Sequence, residues 1–210
     1  MIRGWRTLAS TAIVAVAALS AFTAVTHGFA AVTSDGVRRA ELASAPRTLP
    51  AIGLIDAGGK PLALSDYGRP ARRVTFVTLA YVRCQSVCLT SVAGQSWLQG
   101  EIQARGLGDR VRLLTLSFDP ANDTPQVLAE QARRLDADPA VWRFAGVGDP
   151  GQLRAMLDLF GVVVLPDGLG GYSHNAALFL IGEDGRLSRA YDIDRPDVAL
   201  ADYLRSAAGA

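Results

Sequence analysis

The sequence predicts an α/β domain: a central mixed sheet flanked by helices, with a hairpin at each end and a hydrophobic segment in front. Three observations carry this expectation. Residues 73–81 and 111–118 are runs rich in β-branched and aromatic or aliphatic side chains, which read as core strands. Segments with a helical apolar period alternate with them. Finally, the stretch from Leu8 to Val32 contains no Asp, Glu, Lys or Arg.

That stretch comes first in the chain. It follows Arg3 and Arg6 and is long enough for a bilayer crossing, which takes roughly 20 apolar residues. Two readings are open for residues 1–32: an uncleaved signal anchor with its basic end in the cytoplasm, or a signal peptide cleaved after Gly28-Phe29-Ala30. The length favours the anchor, because the apolar region of a cleaved signal is usually only ~7–15 residues. Both readings export the rest of the chain, so the expected location is the periplasm, tethered to the inner membrane or released from it. Residues 33–50 mix small, charged and Pro residues without a period and read as a linker. The domain itself is expected over 51–206.

Within it, residues 51–56 and 61–64 flank Gly58-Gly59, a hairpin signal. The strand 73–81 leads directly to Cys84. Residues 92–104 read as a helix that Gly106 and Gly108 end. The strand 111–118 is broken by Asp119-Pro120. Asp123-Thr124-Pro125 then offers a cap with Pro in the first turn, and Val127, Leu128, Ala132 and Leu135 share one helical face. Residues 142–146 form a short strand. Asp149-Pro150-Gly151-Gln152 resembles a capping box at the head of a helix that runs to Phe160 and stops at Gly161. A brief strand is expected at 162–165, then a loop with three glycines over 166–173. Residues 176–181 and 187–192 flank Glu183-Asp184-Gly185 as a second hairpin, and 196–206 is the last helix. Strands joined through helices imply right-handed crossovers and a sheet covered on both faces.

Composition narrows the function. The chain has 210 residues, half of them apolar, and a net charge of +1. One core is affordable at this length, and no basic patch points to nucleic acid. The chain has only two cysteines, Cys84 and Cys88. An exported pair usually forms a structural staple, but a staple stabilises mainly by closing a long loop, and this pair encloses three residues. Such a pair is more often redox-active or metal-binding. It sits where a core strand gives way to a helix, whose positive N-terminal end lowers thiol pKa, as does the neighbouring Arg83. Thiolates select soft ions, Cu(I) foremost. Three intervening residues argue against an ordinary thioredoxin. Of the two histidines, His27 falls in the hydrophobic segment, whereas His174 precedes the strand 176–181. If that strand neighbours the one ending at Tyr81, His174 lies near the cysteines, and imidazole suits copper.

Four features in order then resemble the Sco/SenC family of copper chaperones for cytochrome c oxidase assembly. They are the strand followed by Cys84-x-x-x-Cys88; Leu116-Ser117-Phe118-Asp119-Pro120 with Asp123-Thr124-Pro125, similar to the family's S-x-D-P-x-x-D-T-P block; Phe144-Ala145-Gly146 with the following helix; and His174 with its strand and the Glu183-Asp184-Gly185-Arg186 turn. The resemblance implies a thioredoxin-like fold and copper, as Cu(I) or Cu(II), on Cys84, Cys88 and His174. It implies delivery to the binuclear copper centre of oxidase subunit II or exchange with other copper donors and acceptors. The alternative is a thiol–disulfide oxidoreductase using Cys84 and Cys88 as a redox pair on cysteines of an oxidase subunit or another exported protein. The sequence departs from the family at Leu89, where Pro is usual, and at 79–83, where the family is richer in aromatic residues. Asp119 and Asp123 are explained by a turn and a cap; Asp119 is also the candidate outer-sphere group or fourth ligand.

Overall fold

A computed structural model of the protein describes residues 2–25, 33–68, 73–84 and 87–208, with the backbone alone described at 2–4, 6, 7, 25, 34 and 87–89. The chain divides into two compact units, 1–44 and 45–210. The first contains α1 (Ile2–Val25) and α2 (Ser34–Ser44). Along α1, Trp5, Leu8, Ile13, Val14, Val16, Leu19 and Phe22 are exposed. Among the described residues no helix is long and apolar enough to cross a membrane; the end of the uncharged stretch, with His27 and Gly28-Phe29-Ala30, lies outside them. The sequence reads 33–50 as an irregular linker, but most of it is ordered. The Thr33 hydroxyl accepts from the Gly36 N–H at 3.0 Å, an N-terminal cap for α2, and Arg38 pairs with Asp35 one turn apart at 2.8 Å. The cap and the ion pair act together with Leu42, which is fully buried.

The second unit runs β1 (Arg47–Thr48), β2 (Gly53–Asp56), β3 (Pro61–Ala63), a 3-10 turn (Leu64–Gly68), β4 (Val74–Ala80), α3 (Val87–Ala104), β5 (Val111–Ser117), α4 (Pro125–Arg134), β6 (Trp142–Val147), a 3-10 turn (Pro150–Gln152), α5 (Leu153–Phe160), β7 (Val164–Pro166), β8 (Tyr172–His174), β9 (Leu178–Ile181), β10 (Arg186–Tyr191) and α6 (Pro196–Ala208). Eight strands form one sheet in the order β1-β10-β9-β4-β5-β6-β2-β3, and β7-β8 is a separate ribbon. β4, β5 and β6 are parallel, joined by crossovers through α3 and α4. β9 lies antiparallel to β4 and β2 antiparallel to β6, so the sheet is mixed, as expected. Every residue of β4 is buried, Thr75 and Thr78 included, which explains why its sequence lacks a strict apolar–polar alternation.

On one face, Val74, Phe76, Val111, Leu113, Trp142 and Phe144 form a core with Leu98 and Ile102 of α3, Leu128 of α4 and Leu200 and Tyr203 of α6. On the other face Phe160, ending α5, packs its ring 5.0 Å from that of Phe179. Gly161 stops α5 at φ 64°, as its sequence position predicts. The capping box is altered: Asp149 caps Gly151 in the 3-10 turn, and Gln152 turns its amide oxygen to the Gly53 N–H at 2.8 Å. The second hairpin turns at Gly185, φ 74°, where a Cβ would collide with the Gly68 carbonyl; only glycine fits there.

Candidate metal centre

The parallel strands β4 and β5 both end at one edge of the sheet, and the chain leaving each carries the candidate groups. After Ala80 come Tyr81, Val82, Arg83 and Cys84. The Cys84 N–H donates to the Tyr81 carbonyl at 3.3 Å, closing a turn, and Cys84 is 7% exposed. α3 starts at Val87, not near Val92 as its apolar period indicates, so Cys88 and Leu89 lie in its first turn. The first-turn N–H groups of a helix have no intrahelical partners and make that end electropositive, which suits a thiolate. The Cys88 side chain is outside the described residues.

Two buried aspartates after β5 fasten the Cys84 turn. Asp123 Oδ2 accepts from the Ser117 hydroxyl at 2.6 Å and from the Val82 N–H at 3.0 Å, while Thr124 caps α4 at the Val127 N–H. The sequence reading treats Asp123 as part of a cap; the cap belongs to Thr124, and Asp123 ties the β5 end to the cysteine loop. Asp119 accepts from the Asn122 amide with both oxygens, at 2.9 and 2.8 Å, and faces Arg83 at 3.7 Å. Asp119 thus pairs with the residue that precedes Cys84.

Burial pushes the Asp123 carboxyl above its usual range, against the bonds from Ser117 and Val82; the Asp119 charge adds to the rise. A carboxyl with a raised folded pKa contributes stability that is full below its unfolded pKa, ~3.9, and lost as pH rises through the folded value. Asp123→Asn keeps an acceptor and removes the titration. Urea midpoints measured from pH 4 upward should therefore shift in favour of the Asn variant as pH rises; a difference independent of pH would contradict the raised pKa.

His174 ends β8. Because β9 pairs antiparallel with β4, Phe179 opposite Val77, the chain entering β9 meets the chain leaving β4. His174 accordingly packs with its ring 6.3 Å from Tyr81 and 4.9 Å from Phe118, both edge-on. Tyr172 completes the nest, 5.2 Å from Tyr81 and 5.9 Å from Phe118. His174 Nδ1 lies 3.1 Å from the Asn175 carbonyl. With Nδ1–H donating there, Nε2 carries the lone pair. Burial lowers the imidazole pKa, with the Asn175 bond acting in the opposite sense, so the ring is neutral at pH 7, the form that ligates metal. The Asn175 side chain anchors this segment, accepting from the Val163 N–H at 2.7 Å and donating to the Gly161 carbonyl at 3.2 Å.

The sequence reading did not single out Tyr81, Phe118 or Asn175 as site groups. Tyr81 and Phe118 stand at the ends of core strands and look like ordinary core aromatics; the block containing Ser117, Phe118 and Asp123 marks Phe118, and Tyr81 has no such signal. Beneath the loop, Tyr81, Val82, Cys84, Val92, Asp123 and Phe144 help line a mostly apolar cavity of about 150 Å³. Among the described residues no three His, Cys, Asp or Glu side chains are grouped to hold a metal; a set that includes Cys88 lies outside that description.

The chain is 25% identical over 114 residues to the SCO1 protein homolog of Bacillus subtilis (strain 168), a match spanning 53% of this chain and 58% of that protein. The solved structure of Bradyrhizobium japonicum ScoI with copper bound is 24% identical, with a TM-score of 0.60, covering 75% of this chain and 98% of that one. BsSco, described with a disulfide switch as a member of the Sco family of cytochrome c oxidase assembly proteins, is 20% identical with a TM-score of 0.63, covering 75% and 92%. At these identities the solved structures establish the thioredoxin-like fold. The SCO1/SenC family model matches residues 45–209, and the chain therefore belongs to the SCO1/SenC family.

Proposed function

We propose that this protein is an extracytoplasmic copper carrier that assists assembly of the binuclear copper centre of cytochrome c oxidase. Copper is its cargo. Cys84 and Cys88 hold Cu(I) as thiolates, and His174 joins them for Cu(II), a donor set soft enough for the first state and with an imidazole for the second. The observation that carries the reading is that a neutral, half-buried imidazole and Cys84 are both built against Tyr81 at one sheet edge. Family relatives with copper bound and an oxidase-assembly role favour the same assignment. Export of the domain rests on the uncharged stretch from Leu8 to Val32.

Copper titration followed by absorbance and electron paramagnetic resonance tests it. Wild type should take up one copper, and His174→Ala should weaken Cu(II) binding far more than Cu(I) binding. Absence of copper uptake by wild type, or unchanged Cu(II) affinity in His174→Ala, rejects the proposal.

A second reading is favoured by one observation: Cys84 is disulfide-bonded, and Cys88 is the only other cysteine in the chain. A pair that cycles between disulfide and dithiol can reduce a partner's disulfide through a mixed intermediate. The two electrons pass to the partner, and this pair is left as the disulfide. That activity would be independent of His174, which separates it from copper delivery.

A further inference from the structure

The Tyr81 side chain bridges the two halves of the candidate site. Its hydroxyl accepts from the Tyr172 N–H at 3.0 Å and donates to the Tyr172 carbonyl at 3.4 Å. Tyr172 lies two residues before His174 in the ribbon β7-β8, which is not hydrogen-bonded into the main sheet. At its other end, the Tyr81 carbonyl receives the Cys84 N–H. One buried residue, 7% exposed, thus grips the histidine strand by its side chain and the cysteine turn by its backbone.

The tip of the ribbon is closed by bonds of its own. Asp167 closes its loop internally, accepting from the Leu169 and Gly171 N–H groups at 2.7 and 2.9 Å. Leu169 at the tip and Val163 and Leu165 on the β7 side are exposed. Gly171 is needed for the grip: a Cβ there would stand 2.9 Å from the Tyr81 hydroxyl and 2.6 Å from Asp167 Oδ2. The missing side chain lets the ribbon approach Tyr81 closely enough for both backbone bonds.

We propose that Tyr81 is a positioning residue that fixes His174 relative to the cysteine loop and so sets the preference between Cu(II) and Cu(I). This rests on the copper reading above for its consequence, but not for its geometry. With the clamp intact, the imidazole is held in place before the metal arrives. Without it, the ribbon must be ordered on binding, and the oxidation state that uses the imidazole bears that loss.

The test uses the full chain and two variants, Tyr81→Phe, which keeps the ring in the aromatic nest, and Gly171→Ala, which keeps the hydroxyl but forces it away. In the copper-free protein, amide hydrogen exchange at Tyr172 should accelerate about tenfold in Tyr81→Phe, the scale of one lost hydrogen bond. Unchanged exchange at Tyr172 overturns the clamp whether or not the protein binds copper. With copper, both variants should lose Cu(II) affinity by roughly 10–100-fold, the range for an outer-shell partner, and lose far less Cu(I) affinity. An equal loss for both states would make Tyr81 merely structural and overturn its role in copper preference. Failure of wild type to bind either ion would reject the copper reading while leaving Tyr172 exchange to decide the clamp.

Discussion

Cys84→Ser should abolish high-affinity Cu(I) binding, with a loss beyond the ~100-fold that removal of an outer-shell partner costs. A serine hydroxyl stays protonated at neutral pH and offers a hard oxygen where Cu(I) takes a soft thiolate. The fold has little reason to respond. Cys84 sits in a turn closed by backbone, and the flanking Val82 is held by Asp123; neither bond uses the sulfur. Even in the oxidised protein, the proposed link to Cys88 would close a loop of only three intervening residues, where loop-closure entropy is smallest. Competition against a chromophoric Cu(I) chelator, with circular dichroism on the same samples, checks both halves. A fall in affinity of less than about tenfold, or 1.4 kcal/mol, would remove Cys84 from the ligand set.

Phe118→Ala should cost about 3–5 kcal/mol of stability, the range for truncating a buried Phe. Phe118 is 3% exposed, and its ring touches Tyr81, Tyr172 and His174 together. No other described ring contacts all three. The void would open directly beside the imidazole, so the variant should also show weaker Cu(II) binding than its remaining folded fraction explains. Urea denaturation gives the first quantity. Binding measured well below the unfolding midpoint gives the second. A destabilisation under about 1 kcal/mol would mean that the nest collapses around the missing ring, and the Phe118 ring would then not be what holds His174 in place.

Much of the scaffold was legible because local chemistry and tertiary role agree. The fully buried β4 reads as a run rich in β-branched and aromatic residues, Gly161 and Gly185 mark a helix stop and a hairpin turn, and Thr124-Pro125 begins α4 within a residue of expectation. The helix after the cysteines begins earlier than its pattern indicates, since its first turn lacks the apolar period that identifies the rest. Residues 34–44 form a helix with a capped start, a charge pair and a single fully buried Leu42, too little apolar period for a search for apolar faces to find. β8 falls in a stretch that its three glycines mark as loop; pairing with β7 overrides that local preference.

From sequence alone come the α/β class, the position of Cys84 and Cys88 at a strand-to-helix junction, and the dependence of His174 on which strand lies beside β4. Those follow from patterns within ten or so residues, where side-chain period and backbone preference act directly. Only the folded chain decides that β9 is the neighbour of β4, that Asp123 holds Val82, and that Tyr81 reaches Tyr172 across 91 positions of sequence. Contacts of that span are chosen by the packing of the whole sheet, and a tyrosine that will clamp a distant strand carries no local mark distinguishing it from one that only fills the core.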